Sequence, residues 1–259
     1  MLEELFRGAL LDSAERRETL SLSEIEKLAL AKQAPPNFVD ALKSGSGISV
    51  IAEIKRASPS RGVLSNIPEP TLLAKQYADA GAAAISVLTE QRRFGGKPSD
   101  LQAVSEAVTL PTLRKDFIAE EYQILEARAW GAACVLLIVA GLEKPILQRL
   151  HTFALEIGVS VLVETHSDAE VEIANEIGAK LIGINARNLS TFELDKTLFG
   201  RLRPLVSEGA ISIAESAVSN IHDVVDYRAA GADAVLIGEA LVTSGEPGSL
   251  LKEIRELIR

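Results

Sequence analysis

The sequence lacks the features that mark several common classes of protein. Its one cysteine, Cys134, cannot form a disulfide within the chain and lies in an apolar run, where we expect a buried thiol. That run, residues 132–142, is well short of the roughly 20 residues of a bilayer-spanning helix. The N-terminus has neither the basic start nor the cleavage site of a signal peptide. We therefore expect a cytoplasmic protein that does not associate with membranes.

Basic residues are outnumbered, since 27 Lys and Arg against 36 Asp and Glu give a net charge of −9. This charge disfavours nucleic acid and anionic membranes as partners, but it allows a small anionic substrate if the cations are concentrated at one place. Walker A, Gly-x-Gly-x-x-Gly, Cys-x-x-Cys, His-Glu-x-x-His and Gly-x-Ser-x-Gly motifs are all missing, so we predict no cofactor and no metal. His151, His222 and Trp130 lie in helical stretches and are interpreted as packing or surface residues.

A short motif occurs four times, at 81-GAAAI, 131-GAACV, 178-GAKLI and 231-GADAV, with spacings of 50, 47 and 53 residues. Each copy follows a stretch with helical apolar spacing, such as 71–80 or 168–177, and leads into an aliphatic run. A glycine directly after a helix is the expected terminator, because it enters the left-handed conformation at little cost. Four copies at nearly equal spacing indicate a periodic architecture.

Four more strand candidates lie between these copies, and helical patterns separate all eight. Aliphatic strands that alternate with helices indicate a parallel sheet covered by helices, and eight units fit an α/β fold of the (β/α)8 TIM barrel type better than an open doubly wound sheet. We expect one domain over 1–259, with an N-terminal helical extension at 1–47, capped at Ser21 to Glu24, and the barrel at 48–259. The predicted strands are 48–55, 82–90, 110–117, 132–140, 159–166, 180–187, 210–217 and 233–241.

Polar residues gather at the C-terminal ends of these strands, whereas the N-terminal ends are apolar. Active sites of (β/α)8 barrels are built at the C-terminal ends. Because side chains alternate along a strand, Glu53 and Lys55 share one face. The end of strand four is apolar and suits a hydrophobic part of a ligand. The polar strand-end residues are Glu53, Lys55, Glu90, Lys115, Asp116, Glu164, His166, Asn185, Arg187, Glu215, Ser216, Gly238 and Glu239.

Other interpretations of these residues stay open. Taken singly, each is explained equally well as a solvated strand end or an internal ion pair, although a packed barrel needs no buried charges and an unpaired one is costly. A metal site built from Glu53, Asp116, Glu164 and His166 is disfavoured, because two lysines at the same mouth would repel a divalent cation.

Phosphate binding is supported by the loops after strands seven and eight, 215–220 and 237–242. In barrels these loops often hold a phosphate with backbone N–H groups and a short helix N-terminus. Ser58 and Ser60 would add hydroxyl groups across the seam between strands eight and one. The Ser-Pro-Ser run is also compatible with an ordinary turn.

Taken together, these stretches resemble the indole-3-glycerol phosphate synthase family. The resemblance covers the barrel from about 48 to 241 and extends more loosely over the N-terminal helices. The stretches that carry it, all in the family's order and spacing, are 52-AEIKRASPSRG, 85-ISVLTEQRRFGG, 113-LRKDFI, 161-VLVETH, 182-IGINARNL, 213-IAESAV and 236-LIGEAL.

The resemblance implies a carboxy-lyase of tryptophan biosynthesis that needs no cofactor. Such enzymes convert 1-(2-carboxyphenylamino)-1-deoxyribulose 5-phosphate to indole-3-glycerol phosphate, with loss of CO2 and water. By resemblance, Lys115 is the general acid that polarises the ketone, and Lys55 is a second acid for dehydration that Glu53 holds in place or exchanges protons with. Glu164 stabilises the cationic intermediate or acts as the base, and the choice between Glu53 and Glu164 as base stays open.

The remaining site residues are assigned by the same resemblance. Asn185 and Ser216 position substrate hydroxyl and carboxylate groups, Glu215 orients its neighbours or Lys115, and Arg187 assists from strand six. The anthranilate ring is bordered by Phe94 and Phe117. The phosphate is expected to contact Ser58, Ser60, Ala217, Gly238 and Glu239.

Three details of the loops carry expectations of their own. The family usually has glycine where this chain has Ala217, whose methyl group would crowd the phosphate or exclude a positive φ; we expect binding to persist. The Glu239 carboxylate should turn away from the phosphate and leave its backbone N–H to bind. The glycine pair in 91–100 gives the loop after strand two freedom to act as a lid.

Two other functions are weighed against this one, namely a Schiff-base aldolase that uses Lys115 and a barrel without catalytic activity that serves as a scaffold. The expected partner is a small substrate with phosphate and carboxylate groups. We expect a monomer, with at most weak contacts to other tryptophan-pathway enzymes. Because the chain ends soon after the helix predicted at 247–259, we expect a single activity.

Overall fold

The centre of the protein is a closed barrel of eight parallel strands, seen in a computed structural model that describes residues 1–44, 47–189 and 191–257. The strands pair in the order β1-β8-β7-β6-β5-β4-β3-β2, and β2 closes the barrel against β1. They are β1 Ser49–Ile54, β2 Ala84–Leu88, β3 Thr112–Lys115, β4 Cys134–Ile138, β5 Ser160–Thr165, β6 Leu181–Asn185, β7 Ile211–Glu215 and β8 Ala234–Ile237.

Alternation along each strand divides the apolar side chains into two cores. In β1, Val50 and Ile54 pack outwards against the helices, whereas Ile51 belongs to the core inside the barrel. Followed once around the barrel, the strand registers shift by eight residues, which is the shear of a (β/α)8 barrel. The predicted fold class is therefore confirmed.

Helices connect the strands and cover the outside of the barrel. The glycines of the four motif copies, Gly81, Gly131, Gly178 and Gly231, all have positive φ directly after a helix, as the repeat predicts. The barrel helices are α4 Pro70–Asp79, α5 Pro98–Ala107, α6 Glu121–Ala129, α7 Lys144–Glu156, α8 Asp168–Glu176, α9 Leu198–Leu202, α10 Ile221–Ala229, α11 Glu239–Thr243 and α12 Pro247–Leu257.

Among the described residues, three helices precede the barrel: α1 Leu2–Thr19, α2 Leu22–Ala31 and α3 Phe38–Lys43. The predicted capping box of α2 is present at Ser21. Phe6 of α1 and Phe38 of α3 belong to the same apolar core as the barrel interior, and the Ser49 hydroxyl at the start of β1 donates to the Leu42 carbonyl. The extension is thus packed on the barrel.

The predicted strands are longer than the observed ones. The largest difference is at 233–241, because β8 ends at Ile237 and Glu239 begins α11. An apolar run of this length does not distinguish a strand from a short helix by periodicity. The predicted border between 47 and 48 adjoins residues 45–46, which lie outside the described residues, as do 258–259 of the last predicted helix. Within the described part of the chain, no helix is long and apolar enough to cross a membrane.

Candidate active site

A cleft lies at the C-terminal ends of the strands, and every residue that the resemblance assigns to catalysis or binding lines it. These residues are Glu53, Lys55, Ser58, Ser60, Phe94, Lys115, Phe117, Glu164, Asn185, Arg187, Glu215, Ser216, Ala217, Gly238 and Glu239. The strand ends thus bring together side chains that are far apart in the sequence, and Lys55 and Lys115 face the same space. The roles of these residues stay predictions.

The end of β3 places the ammonium group of Lys115 between two buried carboxylates. Its Nζ lies 3.3 Å from Glu164 Oε2 and 3.3 Å from Glu215 Oε2. Burial alone would lower the pKa of Lys115, but Glu164, Glu215 and Glu53 together outweigh burial and raise this pKa above its ordinary value. Lys115 therefore remains charged at neutral pH.

Glu215 at the end of β7 occupies space that a glycine leaves free. A Cβ at Gly183 of β6 would lie 2.0 Å from Glu215 Oε1, so any larger residue would displace this carboxylate. Neither Glu215 oxygen accepts a well-formed hydrogen bond from the described residues, although Lys115 is within ion-pair distance. Burial, opposed by Lys115 and aided by repulsion from Glu164, raises the pKa of Glu215 to about 8. Glu215 therefore takes up a proton more readily than an exposed carboxylate does.

Glu53 and Lys55 leave β1 on one face, as their spacing predicts. Lys55 Nζ lies 3.8 Å from Glu53 Oε1, and the Ser86 hydroxyl donates to Glu53 Oε2 at 3.3 Å. A Cβ at Gly238 would lie 2.5 Å from Glu53 Oε1, so this second glycine also makes room for a carboxylate. Burial lowers the pKa of Lys55, with repulsion from Lys115 and Arg187 in the same direction and Glu53 opposing them.

Glu164 at the end of β5 lies between Lys115 and His166. In addition to Lys115, the ring of His166 approaches it, with Nε2 3.4 Å from Glu164 Oε1. Burial alone would raise the pKa of Glu164, but Lys115 and His166 outweigh burial and hold this pKa below its usual range. Glu164 is therefore an ionised carboxylate buried in the cleft.

A set of polar groups joins the ends of β6 and β7. The Ser216 hydroxyl donates to Asn185 Oδ1 at 2.8 Å, and the Arg187 backbone N–H donates to the same oxygen at 3.0 Å. Because the Asn185 oxygen is satisfied in this way, its NH2 group is the part that remains to donate hydrogen bonds.

The loop after β7 has an uncommon backbone. Ser216 and Ala217 have φ of 65° and 58°, in the left-handed region that favours glycine. Ala217 therefore adopts the positive φ that its methyl group was expected to oppose, at a strain of about 1–2 kcal/mol.

Beside that loop, Glu239 is held by arginines. Its Oε1 lies 2.9 Å from Arg61 Nε, and its Oε2 lies 4.0 Å from Arg187. The Ser-Pro-Ser run is indeed a turn, in a hairpin of Ala57–Ser58 and Gly62–Val63, yet both of its serines line the cleft. Arg187 donates to the Ser60 hydroxyl at 3.4 Å.

The opposite wall of the cleft is apolar. The rings of Phe94 and Phe117 have their centres 6.1 Å apart, and Phe6 of α1 meets Phe117 edge-on at 5.6 Å. Leu136 and Ile138 extend this wall at the end of β4, where the sequence is apolar.

Glu90 at the end of β2 anchors the loop that carries Phe94. Its carboxylate accepts hydrogen bonds from the backbone N–H groups of Arg92, Arg93 and Phe94 at 2.7–2.9 Å. The backbone at Gly96 lies very close to the end of β2, and a Cβ at this position would lie 2.2 Å from the Leu88 carbonyl oxygen. The need for a glycine at 96 is therefore steric, which differs from the freedom of movement that the glycine pair suggests.

Asp116 borders the cleft as expected, but its carboxylate is not directed into it. Its carboxylate turns outwards and pairs with the fully buried Arg114 at 2.9 Å. Asp116 and Lys115 are neighbours in sequence, so alternation directs their side chains to opposite faces. Among the described residues, no group of three or more His, Cys, Asp or Glu is arranged to hold a metal.

Some lining residues were missed by the sequence interpretation. Leu5 comes from α1, Leu189 and Phe192 come from the loop after β6, and Arg61 directly follows Ser60. Only Arg61 had a usable signal, as a cation inside the stretch 52–62. The others are apolar residues in a helix and a loop, where no pattern predicts contact with a distant strand end.

Comparison with known proteins agrees with this geometry. The family model described as indole-3-glycerol phosphate synthase matches residues 2–257. The indole-3-glycerol phosphate synthase of Leifsonia xyli subsp. xyli is 54% identical over 255 residues, which cover 98% of this chain and 98% of the relative. That of Mycolicibacterium smegmatis is 49% identical over 254 residues, which cover 98% of this chain and 93% of the relative.

Among solved structures, 3-hexulose-6-phosphate synthase from Salmonella typhimurium superposes with a TM-score of 0.66 at 18% identity, over 81% of this chain and 98% of that one. A likeness at this identity bears on the barrel fold alone. The family model matches nearly the whole chain, and the relatives named above share about half of its residues. These two findings establish the family. The chain belongs to the indole-3-glycerol phosphate synthase family.

Proposed function

We propose that the chain catalyses the reaction of its family, the ring closure of 1-(2-carboxyphenylamino)-1-deoxyribulose 5-phosphate to indole-3-glycerol phosphate with loss of CO2 and water. One observation carries the proposal: two lysines, each beside a buried carboxylate, face one cleft between an aromatic wall and the loops after β7 and β8. This arrangement matches a substrate with an aromatic ring at one end and a phosphate at the other.

In the first step, Lys115 acts on the ketone. As the ring carbon that bears the carboxylate attacks the ketone carbon, negative charge develops on the ketone oxygen, and the charged Lys115 stabilises it and donates a proton. The raised pKa of Lys115 does not prevent this transfer, since an alkoxide is more basic than an amine. Loss of CO2 then returns its bonding electrons to the ring.

The dehydration step is assigned to the pair formed by Lys55 and Glu53. Lys55 protonates the hydroxyl group formed in the first step, which leaves as water, and a lowered pKa makes Lys55 a better proton donor at neutral pH. A carboxylate removes the proton from the neighbouring carbon to complete the indole. We assign this role to Glu164, because Lys115 and His166 keep it ionised, while Glu53 holds Lys55.

Binding is assigned to the two ends of the cleft. Phe94 and Phe117 border the anthranilate ring, and the Asn185 NH2 group and Ser216 position its polar substituents. The phosphate lies against the backbone N–H groups of Ala217, Gly238 and Glu239, with Ser58, Ser60 and the arginines nearby. Arg61 and Arg187 supply the positive charge that the acidic chain as a whole lacks.

The aldolase alternative finds no support in the geometry. A Schiff base requires a neutral amine at Lys115, whereas its carboxylate neighbours keep this group charged. A stable adduct at Lys115 after borohydride treatment with a ketose phosphate would favour the aldolase.

Replacing Lys115 with Met tests the proposal. Formation of indole-3-glycerol phosphate, followed by fluorescence, should lose roughly 10²–10⁴-fold in kcat, because a general acid contributes about that much. The matched control is Lys196→Met, which removes a half-exposed lysine paired with Asp223 and should keep wild-type turnover. Near wild-type kcat in the Lys115 variant would refute the assignment, and an inactive wild-type enzyme would refute the function.

We also infer one domain over residues 1–259, since the N-terminal helices share an apolar core with the barrel interior. A cytoplasmic location is inferred from the phosphorylated substrate, which is made and used inside cells. The monomeric state stays a prediction.

A further inference from the structure

His166 bridges two carboxylates just beyond the end of β5. Its Nε2 lies 3.4 Å from Glu164 Oε1, and its Nδ1 lies 3.2 Å from Glu170 Oε2 on α8. The His166 backbone N–H also donates to Glu170 Oε2 at 2.8 Å. The side chain is 14% exposed, so it is largely shielded from water. The imidazole ring therefore lies between two carboxylates, with one near each of its nitrogens.

The proton count of the ring follows from this placement. A neutral imidazole carries one N–H, so one of its nitrogens would direct a lone pair at a carboxylate oxygen. An imidazolium donates from both nitrogens and is the form that suits a carboxylate on each side. The direction from His166 Nε2 to the Glu164 carboxylate is not that of a well-formed hydrogen bond. Hydrogen bonds in active sites commonly become shorter and better aligned when substrate binds.

Charged and polar groups from several elements face this pair. Glu170 comes from α8, and Asn185 at the end of β6 lies near Glu164. Lys115 at the end of β3 lies on the other side of Glu164, and beyond it lies Glu215 of β7. Glu164 thus has the His166 ring beside Oε1 and the Lys115 ammonium group beside Oε2.

We infer that His166 is a positioning residue for the reaction, an imidazolium that fixes the Glu164 carboxylate so that it is oriented and ionised for proton removal. This inference rests on the proposed role of Glu164. Burial alone would lower the pKa of His166, but Glu164 and Glu170 raise it to about 10, in agreement with the geometry. Glu170, at the N-terminus of α8, serves to hold the ring in place.

A purely structural role is the competing explanation. Glu170 lies in the first turn of α8, where its backbone N–H meets the Ser167 hydroxyl, and a residue at this position could serve only to close the turn between β5 and α8. That role would make His166 important for folding but would leave the ionisation of Glu164 independent of it.

The first test needs no substrate. The chain has three histidines, so ring-nitrogen NMR of protein labelled with 15N-histidine resolves a small set of signals, and a His166→Gln variant assigns the one of interest. We expect both His166 nitrogens to be protonated at pH 8. A neutral His166 ring at pH 8 would overturn the inference, whatever the activity of the enzyme.

The second test compares kinetics across pH. In His166→Gln the cation next to Glu164 is absent at every pH, whereas wild-type His166 loses its proton as the pH approaches 10. We expect the ratio of variant to wild-type kcat/KM to be lowest near neutral pH and to rise as the pH is raised from 8 to 10. Glu170→Gln should change this ratio in the same direction by a smaller amount.

His151→Gln is the matched control, because His151 is also buried but lies on α7, away from the cleft. Its activity ratio should not depend on pH. A ratio independent of pH in His166→Gln would reject the inference in favour of the structural role. An inactive wild-type enzyme would instead reject the proposed function, so the two failures are distinguishable.

Discussion

At the scale of single residues, two glycines decide where the carboxylates of the cleft lie. Gly183 on β6 and Gly238 after β8 both occupy inward positions, beside Glu215 and Glu53 respectively. The space that a side chain would fill at each glycine is taken by the acid of the neighbouring strand. An inward glycine at a strand end is thus a requirement of the site, as much as the charged residue that it faces.

Substitution of Gly183 by Ala tests this requirement. The new Cβ would lie 2.0 Å from Glu215 Oε1 and 3.2 Å from Leu162 Cδ1, so Glu215 has to move. Because a misplacement of about 1 Å costs on the order of 10²-fold, we expect a fall in kcat of that size. Overpacking should also lower the free energy of unfolding by about 1–3 kcal/mol.

The matched control is Gly200→Ala on α9, where the nearest atom to the new Cβ is 3.9 Å away. Alanine is the better helix former, so this variant should keep its activity and its stability. Steady-state kinetics and urea unfolding measure both effects. Wild-type kcat in Gly183→Ala would mean that the position of Glu215 does not matter for turnover.

At the scale of elements, β3 carries two neighbouring basic residues with different roles, one in the cleft and one among the helices. Lys115 points into the cleft, while Arg114 points outwards and is fully buried. Arg114 donates to Asp116 and, at 3.2 Å, to Glu126 of α6, and Glu126 in turn receives two hydrogen bonds from Arg16 of α1. Strand, barrel helix and extension are therefore joined by one buried ionic network.

Removal of different members of this network should have unequal effects. Glu126→Ala leaves Arg114 with one carboxylate fewer in a dry environment, so we expect a loss of about 3 kcal/mol or more in the free energy of unfolding. Arg16→Ala removes a partly exposed cation, and the expected loss is about 1 kcal/mol. Urea unfolding of the two variants measures the difference; equal losses would show that the network does not depend on burial.

The elements also show what a sequence can and cannot predict. Eight strands and their polar ends were predictable, because aliphatic runs, terminating glycines and alternation are local signals. The outward turn of Asp116, the anchoring role of Glu90 and the approach of Leu5 depend on neighbours distant in sequence. Residues 239–241, which begin the short α11, were predicted as the end of a strand, because a buried apolar helix and a buried apolar strand have similar sequences.

At the scale of the whole molecule, the charges at the cleft link stability to pH. The pKa of His166 is about 10 in the folded protein against an ordinary value of 6.5. A raised pKa stabilises the fold fully below the unfolded pKa, and this stabilisation is lost as the pH rises through the folded value. The contribution of His166 should therefore disappear between about pH 6.5 and 10.

The difference in free energy of unfolding between wild type and His166→Gln measures this contribution. We expect the difference to be largest near pH 6.5 and to shrink steadily toward pH 10. Urea unfolding of both proteins at several pH values measures the difference at each pH. A difference that grows with pH would contradict the expected direction of this linkage.

The alternation along β3 limits how the gene for this barrel can change. Insertion of one codon within the strand, between Thr112 and Leu113, would shift the residues that follow by one position and exchange the two faces. The Arg114 guanidinium would then enter the reaction chamber, and the Lys115 ammonium group would be buried among the helices. Changes in length are therefore tolerated only where the surrounding loops absorb them before the strand begins.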